Sequence, residues 1–348
     1  MMGKTDFNKI HEKRIDSMRK MYEVPLEGKK ELFHGIVSLK KTPYGVVPSR
    51  MTDRLLDFYR SRGGEPRLIR AQGSAGVRLQ FRTKAERMAL RIKFGPFIRN
   101  HFGFDISCDS VPVKRLIEKT AMEDFSFETE LPGNGLRTVI VSFPWQTECT
   151  VMSLQLDDVS VVEPVANPGP PIVMLGDSIT QGYEVSAPEE SYAARTAAGL
   201  GREWINLAVG GMTMRGEGTE AALDYPWDTA LLAYGVNDCA GRVPLDEFRQ
   251  ETMRSLKALC GRSGAKIFMI APLPWPGCPA DHPADRSLQK YREILAECAG
   301  KFPQAALVDG TILLENDPRF FAEDMIHPNA QGMKRIADRL IPLIRAQF

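Results

Sequence analysis

At 348 residues, 43% hydrophobic and 26% charged, the chain has the composition of soluble globular material and length enough for two domains. A formal net charge of +1 gives no global field toward nucleic acid or an anionic membrane, and no apolar run approaches the roughly twenty residues of a membrane span. The start lacks an apolar signal region, and the six cysteines contain no Cys-x-x-Cys pair, so the expectation is a cytoplasmic protein with free thiols.

The first elements in chain order are helices expected around Lys9–Tyr22 and Met51–Tyr59. Alternation of period two then takes over in "GVRLQFRT", with Val77, Leu79 and Phe81 inward, and in "MALRIKF", with Met88, Leu90, Ile92 and Phe94 inward. "FSFETEL", "TVIVSFP" and "CTVMSLQLDDVSVV" repeat it, and half-buried strands at this spacing imply a β-sandwich. His34 and His101 stand alone and read as structural residues. Proline, glycine and asparagine concentrate in "VEPVANPGPP", Val162 to Pro171, which divides residues 1–165 from residues 166–348.

Beyond that linker, strand and helix alternate. "IVMLG" leads to a helix near Ser191–Leu200, "WINLAV" to a short helical piece near Glu217–Leu223, and "TALLAYG" to a helix over Leu245–Leu259. "KIFMIAP", a helix near Leu288–Ala299 and "ALVD" follow, before a last helix with Met333, Ile336, Leu340 and Leu343 on its apolar face. Five strands joined by helices imply a parallel sheet whose C-terminal edge gathers the loops "GDSITQG", "GGMT", "GVND" and "DMIHPNAQG".

The serine of the first loop, Ser178, admits three readings. A phosphate-cradling loop needs a Gly-Lys-Ser/Thr ending, absent here. A helix cap by Asp177, Ser178 or Thr180 is the plain structural reading, and a nucleophile is the third. A nucleophilic serine needs a base and a group that orients the base. His327, three residues after Asp324, can receive that carboxylate at Nδ1 and leave Nε2 for Ser178; His282, beside Asp281, is the rival base. Neither histidine has the companions of a zinc site. Attack on a carbonyl also needs oxyanion donors, which the N–H of Ser178, the N–H of Gly211 and the side-chain amide of Asn237 can supply. Gly210-Gly211 as a tight turn and Asn237-Asp238 as a helix cap are the structural readings of the same residues; their joint occurrence favours the catalytic one.

The four blocks "GDSITQG", "NLAVGG", "GVND" and "DMIHP" resemble those of the SGNH, or GDSL, hydrolases over about half the chain, Ile172 to Phe348. The resemblance implies a three-layer α/β fold around a parallel sheet, a Ser178–His327–Asp324 triad and an oxyanion hole of Ser178, Gly211 and Asn237. Gly211 lies five residues beyond Asn206, as the family pattern suggests. The absence of Gly-x-Ser-x-Gly separates the chain from α/β-hydrolases with a nucleophile elbow. "GVRLQFRTKAERMALRIKF" is similar to the jelly-roll-like sandwich preceding the SGNH domain in two-domain carbohydrate esterases and related acyltransferases, which implies an accessory domain that helps wall the cleft. Trp227 and Trp275 fit either packing or stacking on a sugar. The expected function is a serine esterase that removes a small acyl group, such as acetyl, from a hydroxylated small molecule or carbohydrate, with no metal or cofactor, no nucleic-acid partner and no membrane. An acyltransferase and an inactive carbohydrate-binding protein are the alternatives.

Overall fold

The structure is a computed structural model and describes residues 20–167 and 169–347. Most of the helix expected over Lys9–Tyr22 lies outside the described residues; its last residue instead opens strand β1, Tyr22–Val24.

Among the described residues, twelve strands build the sandwich: β1, β2 (Phe33–His34), β3 (Ser38–Thr42), β4 (Gly45–Ser49), β5 (Arg78–Thr83), β6 (Arg87–Phe97), β7 (Phe102–Cys108), β8 (Val111–Glu118), β9 (Asp124–Glu130), β10 (Arg137–Ser142), β11 (Thr147–Leu156) and β12 (Val162–Pro164). One sheet runs β3-β4-β11-β6-β9 with β1 along β11, and the other runs β12-β5-β10-β7-β8 with β2 along β5. The inward residues expected on β5 and β6 lie in one core with Phe102, Phe104, Ile106, Val139 and Val141. β7 carries the same alternation, whereas β8 is a charged, largely exposed edge strand, which blunts pairing with other chains.

The helix anticipated at Met51 begins at Asp53, where the Thr52 hydroxyl accepts the Leu55 N–H, and it extends to Gln72 as α1. Gly63 and Gly64 break it and Pro66 opens a second segment, where a missing N–H costs little. The expected helix stops near Tyr59; the chain instead continues it beyond the glycine pair, with Leu68 and Ala71 buried.

α1 precedes the linker, yet Leu55, Phe58, Tyr59 and Ala71 share a core with the parallel sheet. That sheet comprises β13 (Ile172–Gly176), β14 (Trp204–Asn206), β15 (Thr229–Ala233), β16 (Lys266–Ile270) and β17 (Ala305–Val308), ordered β14-β13-β15-β16-β17. All its pairings are parallel. Alternate residues separate its faces. Val173, Leu175, Leu232 and Met269 meet α1 and the helices Leu245–Cys260 and Leu288–Ala299, while Ile172, Met174, Leu231 and Phe268 meet the helices Tyr192–Leu200 and Ala330–Arg345. The result is three layers. On the last helix Met333, Ile336, Ala337, Leu340 and Ile344 form the buried stripe; Leu343 is exposed, one step off it.

Two buried polar joints tie the units together. Arg50, fully buried, donates to the carbonyls of Gly73, Arg70, Asn206 and Ala208, and burial lowers its guanidinium pKa to about 10. Glu203, just before β14, receives Arg78 and lies 3.0 Å from His34 Nδ1, both from the sandwich. His34 is thus structural.

Candidate active site

The last residue of β13, Gly176, has no room for a side chain, which would meet Thr180 Oγ1 at 2.4 Å and the Ala233 carbonyl at 2.9 Å. The chain turns at once into the short helix Ser178–Gln181, closed by Gly182 at φ +105°. Each candidate cap has one place. Asp177 caps the helix by accepting the Ile179 N–H at 3.0 Å, Thr180 Oγ1 bonds the Tyr192 hydroxyl at 2.7 Å, and Ser178 Oγ meets His327 Nε2 at 2.7 Å. Burial pushes the Asp177 carboxyl up to about 7.

His327 stands on a turn built by Asp324. One carboxylate oxygen accepts the N–H groups of Ile326 and His327, both at 3.0 Å, and the other meets His327 Nδ1 at 2.5 Å. Met325 takes the left-handed conformation, φ +55°, that makes the turn this tight. Burial pushes the Asp324 carboxyl up, but the bonds from His327 and Ile326 outweigh it and hold its pKa below the ordinary value. With Asp324 accepting at Nδ1, the Ser178 hydroxyl donates to Nε2. The rival base lies elsewhere: His282 Nε2 sits 3.3 Å from Cys239 Sγ and 2.9 Å from the Arg286 carbonyl.

Among the described residues, Glu184, Asp324 and His327 bring ligand-type atoms within 4.8 Å of one another. Both nitrogens of that histidine are engaged, and Glu184 accepts from Arg99 at 3.1 Å, so the set is a hydrogen-bonded network as it stands.

The two glycines of the second loop differ. The Gly210 N–H donates to Gln181 Oε1 at 2.7 Å, whereas Gly211, at φ +76°, donates to no other described residue, and the same holds for the Ser178 N–H. Asn237 does not cap its helix; that position is Gly235, without a side-chain bond. Its Nδ2 donates to the Met212 carbonyl at 3.0 Å, which leaves one amide hydrogen, and the neighbouring Asp238 carboxylate accepts the Met214 N–H.

The sandwich and α1 add residues that sequence reasoning missed. Trp145 stacks on Tyr183 at 4.5 Å, Tyr183 stacks on His327 at 5.5 Å, and Arg99 lies over the Tyr183 ring at 4.7 Å. His101 meets the edge of Trp145. From α1, Arg70 Nη1 donates to the Gly210 carbonyl at 3.1 Å and Arg67 reaches the Met212 sulfur. The i, i+3 spacing of the two arginines was the available signal, hidden behind the Gly-Gly break. Trp227 is buried with its N–H on the Ala222 carbonyl, and Trp275 packs in the His282 loop. They are packing residues, and the tryptophan beside the site is Trp145.

A five-stranded parallel sheet with a Ser–His–Asp row of hydrogen bonds at its C-terminal edge is joined to an antiparallel sandwich. Residues 174–335 match the sequence model of the GDSL-like lipase/acylhydrolase family, so the α/β unit resembles that family in sequence. A GDSL lipase of Mycobacterium tuberculosis is 28% identical over 198 residues, 51% of this chain and 83% of that protein. Among solved structures, a salicylyl-acyltransferase, SsfX3, from a tetracycline biosynthetic pathway superposes with a TM-score of 0.79 at 19% identity, covering 90% of this chain and 94% of that one. An acetyl xylan esterase of the rumen bacterium Butyrivibrio proteoclasticus gives 0.64 at 11% identity, covering 94% and 98%. At these identities the likeness is one of fold, and it spans both units.

Proposed function

We propose that this protein is a carboxylic-ester hydrolase working through an acyl-serine intermediate, with residues 166–348 as catalytic domain and residues 1–165 as accessory domain. The observation that carries the reading is the row Ser178 Oγ–His327 Nε2 and His327 Nδ1–Asp324. Ser178 attacks the ester carbonyl as His327 takes its proton, Asp324 holds the ring and faces the imidazolium, and the Ser178 N–H, Gly211 N–H and Asn237 amide receive the oxyanion. His327 returns the proton to the leaving alcohol, then activates water to free the acid. A short acyl group such as acetyl is supported by the fold similarity to an acetyl xylan esterase. The xylan esterase neighbour supports a carbohydrate or other polyol ester. Six free cysteines support a cytoplasmic setting. Among the described residues no helix is long and apolar enough to cross a membrane.

A second reading, acyl transfer to an alcohol other than water, is favoured by the higher fold similarity to the salicylyl-acyltransferase. p-Nitrophenyl esters of increasing chain length, then acetylated sugars, test the proposal: activity that falls with chain length supports it, and no turnover of any ester by the wild type while the fold is intact refutes it. Addition of alcohols separates the two readings, since a transferase forms new ester at the expense of free acid.

A further inference from the structure

The arginines of α1 are not alike. Arg54 pairs with Asp224, Arg60 with Asp57 and Arg62 with Glu217, all near the surface. Arg50, just before the helix, satisfies its guanidinium with four backbone carbonyls. Arg67 and Arg70 are half-buried, share one helix face, and have no carboxylate within ion-pair distance among the described residues. Among the described residues their side chains hydrogen-bond only to the Met212 sulfur and the Gly210 carbonyl, one bond each, although a guanidinium offers five N–H donors. Burial and the neighbouring Arg70 both lower the Arg67 pKa, the mark of two like charges held close.

They face the candidate active site. A side chain at Gly211 would meet Arg70 Nη1 at 3.0 Å and Arg67 Nη2 at 3.9 Å. The adjacent Tyr183 hydroxyl is buried against Gly210 with no hydrogen-bond partner among the described residues, and it belongs to the ring stacked on His327. The nearby acids are committed, Glu184 to Arg99 and Asp324 to His327. Two guanidinium groups, the Gly211 N–H and an orphan hydroxyl thus collect donors and positive charge where no protein anion answers them.

We infer that Arg67 and Arg70 form an anion subsite, and that the substrate carries a carboxylate or phosphate group a few bonds from the scissile carbonyl. The arginine fork suits such groups, which accept two parallel bonds. The substrate half of this inference rests on the esterase reading; the ligand half does not.

Two measurements separate them. In Ser178→Ala protein, calorimetry with benzoate and separately with inorganic phosphate should detect binding of at least one anion, weakened about tenfold or more by Arg67→Gln and by Arg70→Gln, since charged hydrogen bonds contribute about 1.5–3 kcal/mol. Arg67→Lys, which keeps the charge, should retain part of the affinity. No anion binding, or affinity in both glutamine variants equal to that of the Ser178→Ala parent, overturns the inference. With active enzyme, phenyl acetate against 4-carboxyphenyl acetate and p-nitrophenyl butyrate against mono-p-nitrophenyl succinate place the anion on the alcohol or acyl side. In one pair the anionic ester should be favoured about tenfold in kcat/KM, and both glutamine variants should lose that ratio. Turnover that favours the neutral ester in both pairs refutes an anionic substrate. Anion binding without turnover of any ester refutes the esterase reading and leaves the subsite standing.

Discussion

The indole of Trp145, on the sandwich, stacks on the ring of Tyr183 in the α/β unit with centroids 4.5 Å apart, and Tyr183 stacks in turn on His327. The accessory unit therefore reaches the histidine through one intervening ring. α1 goes further and supplies Leu55, Phe58 and Tyr59 to the core on one face of the parallel sheet.

A chain beginning near Asn167 should consequently lose more than an appendage. It lacks Arg50, α1 and Trp145, so that face of the sheet meets water over several large side chains. The expected outcome is an insoluble product or one with no cooperative thermal transition. A soluble fragment with unchanged kinetics would show that the units act independently.

The joint at Glu203 gives a pH prediction. Burial pushes its carboxyl up, but Arg78 and then His34 outweigh that and bring the folded value to about 2, against an ordinary 4.5. A depressed folded pKa means stability present above about 4.5 and lost as pH falls toward 2. Glu203→Gln should lower stability at pH 7 by about 2–4 kcal/mol, because Arg78 is left buried without its charge partner, and should flatten the acid limb of a denaturation curve. An acid limb identical to wild type would remove Glu203 from the account.

Asn237→Ala separates oxyanion donor from scaffold. Loss of the donor should appear in kcat at about 10²- to 10³-fold with KM little changed. Its bond to the Met212 carbonyl adds about 1 kcal/mol to the stability cost. A destabilised variant with full kcat would make Asn237 a structural tie between two loops.

His327→Ala should remove nearly all turnover, whereas His282→Ala should change stability more than rate, since His282 bonds Cys239 and the Arg286 carbonyl. Equal losses of rate would mean that both histidines serve the reaction. EDTA should leave activity intact; loss on chelation and return with zinc would call for metal chemistry at Glu184, Asp324 and His327.

Much of this was legible in the sequence because local pattern and local packing agree. "IVML" before Gly176 fits a strand covered on both faces, and "DMIH" sets carboxylate and imidazole three residues apart on a turn that needs no distant partner. What stayed hidden depends on contacts between the units. Trp145, Arg99 and Arg67 carry no motif, and they come to Tyr183 and Gly211 only because the sandwich and α1 dock there through Arg50 and Glu203. The helix expected to stop near Tyr59 runs on past the Gly63-Gly64 break to Gln72, with Leu68 buried and Ala71 in the core shared with the parallel sheet. Asn237 read as either a cap or a donor; Gly235 takes the cap position, and the Asn237 amide bonds the Met212 carbonyl across two loops.

The central claim is that Ser178 is the nucleophile. Treat the full-length protein with a fluorophosphonate, measure its intact mass and map the modified peptide. One adduct per chain on Ser178, absent in Ser178→Ala and in His327→Ala, with esterase activity lost in proportion to labelling, is the predicted result; an unlabelled but folded Ser178, or activity that survives full labelling, would contradict it.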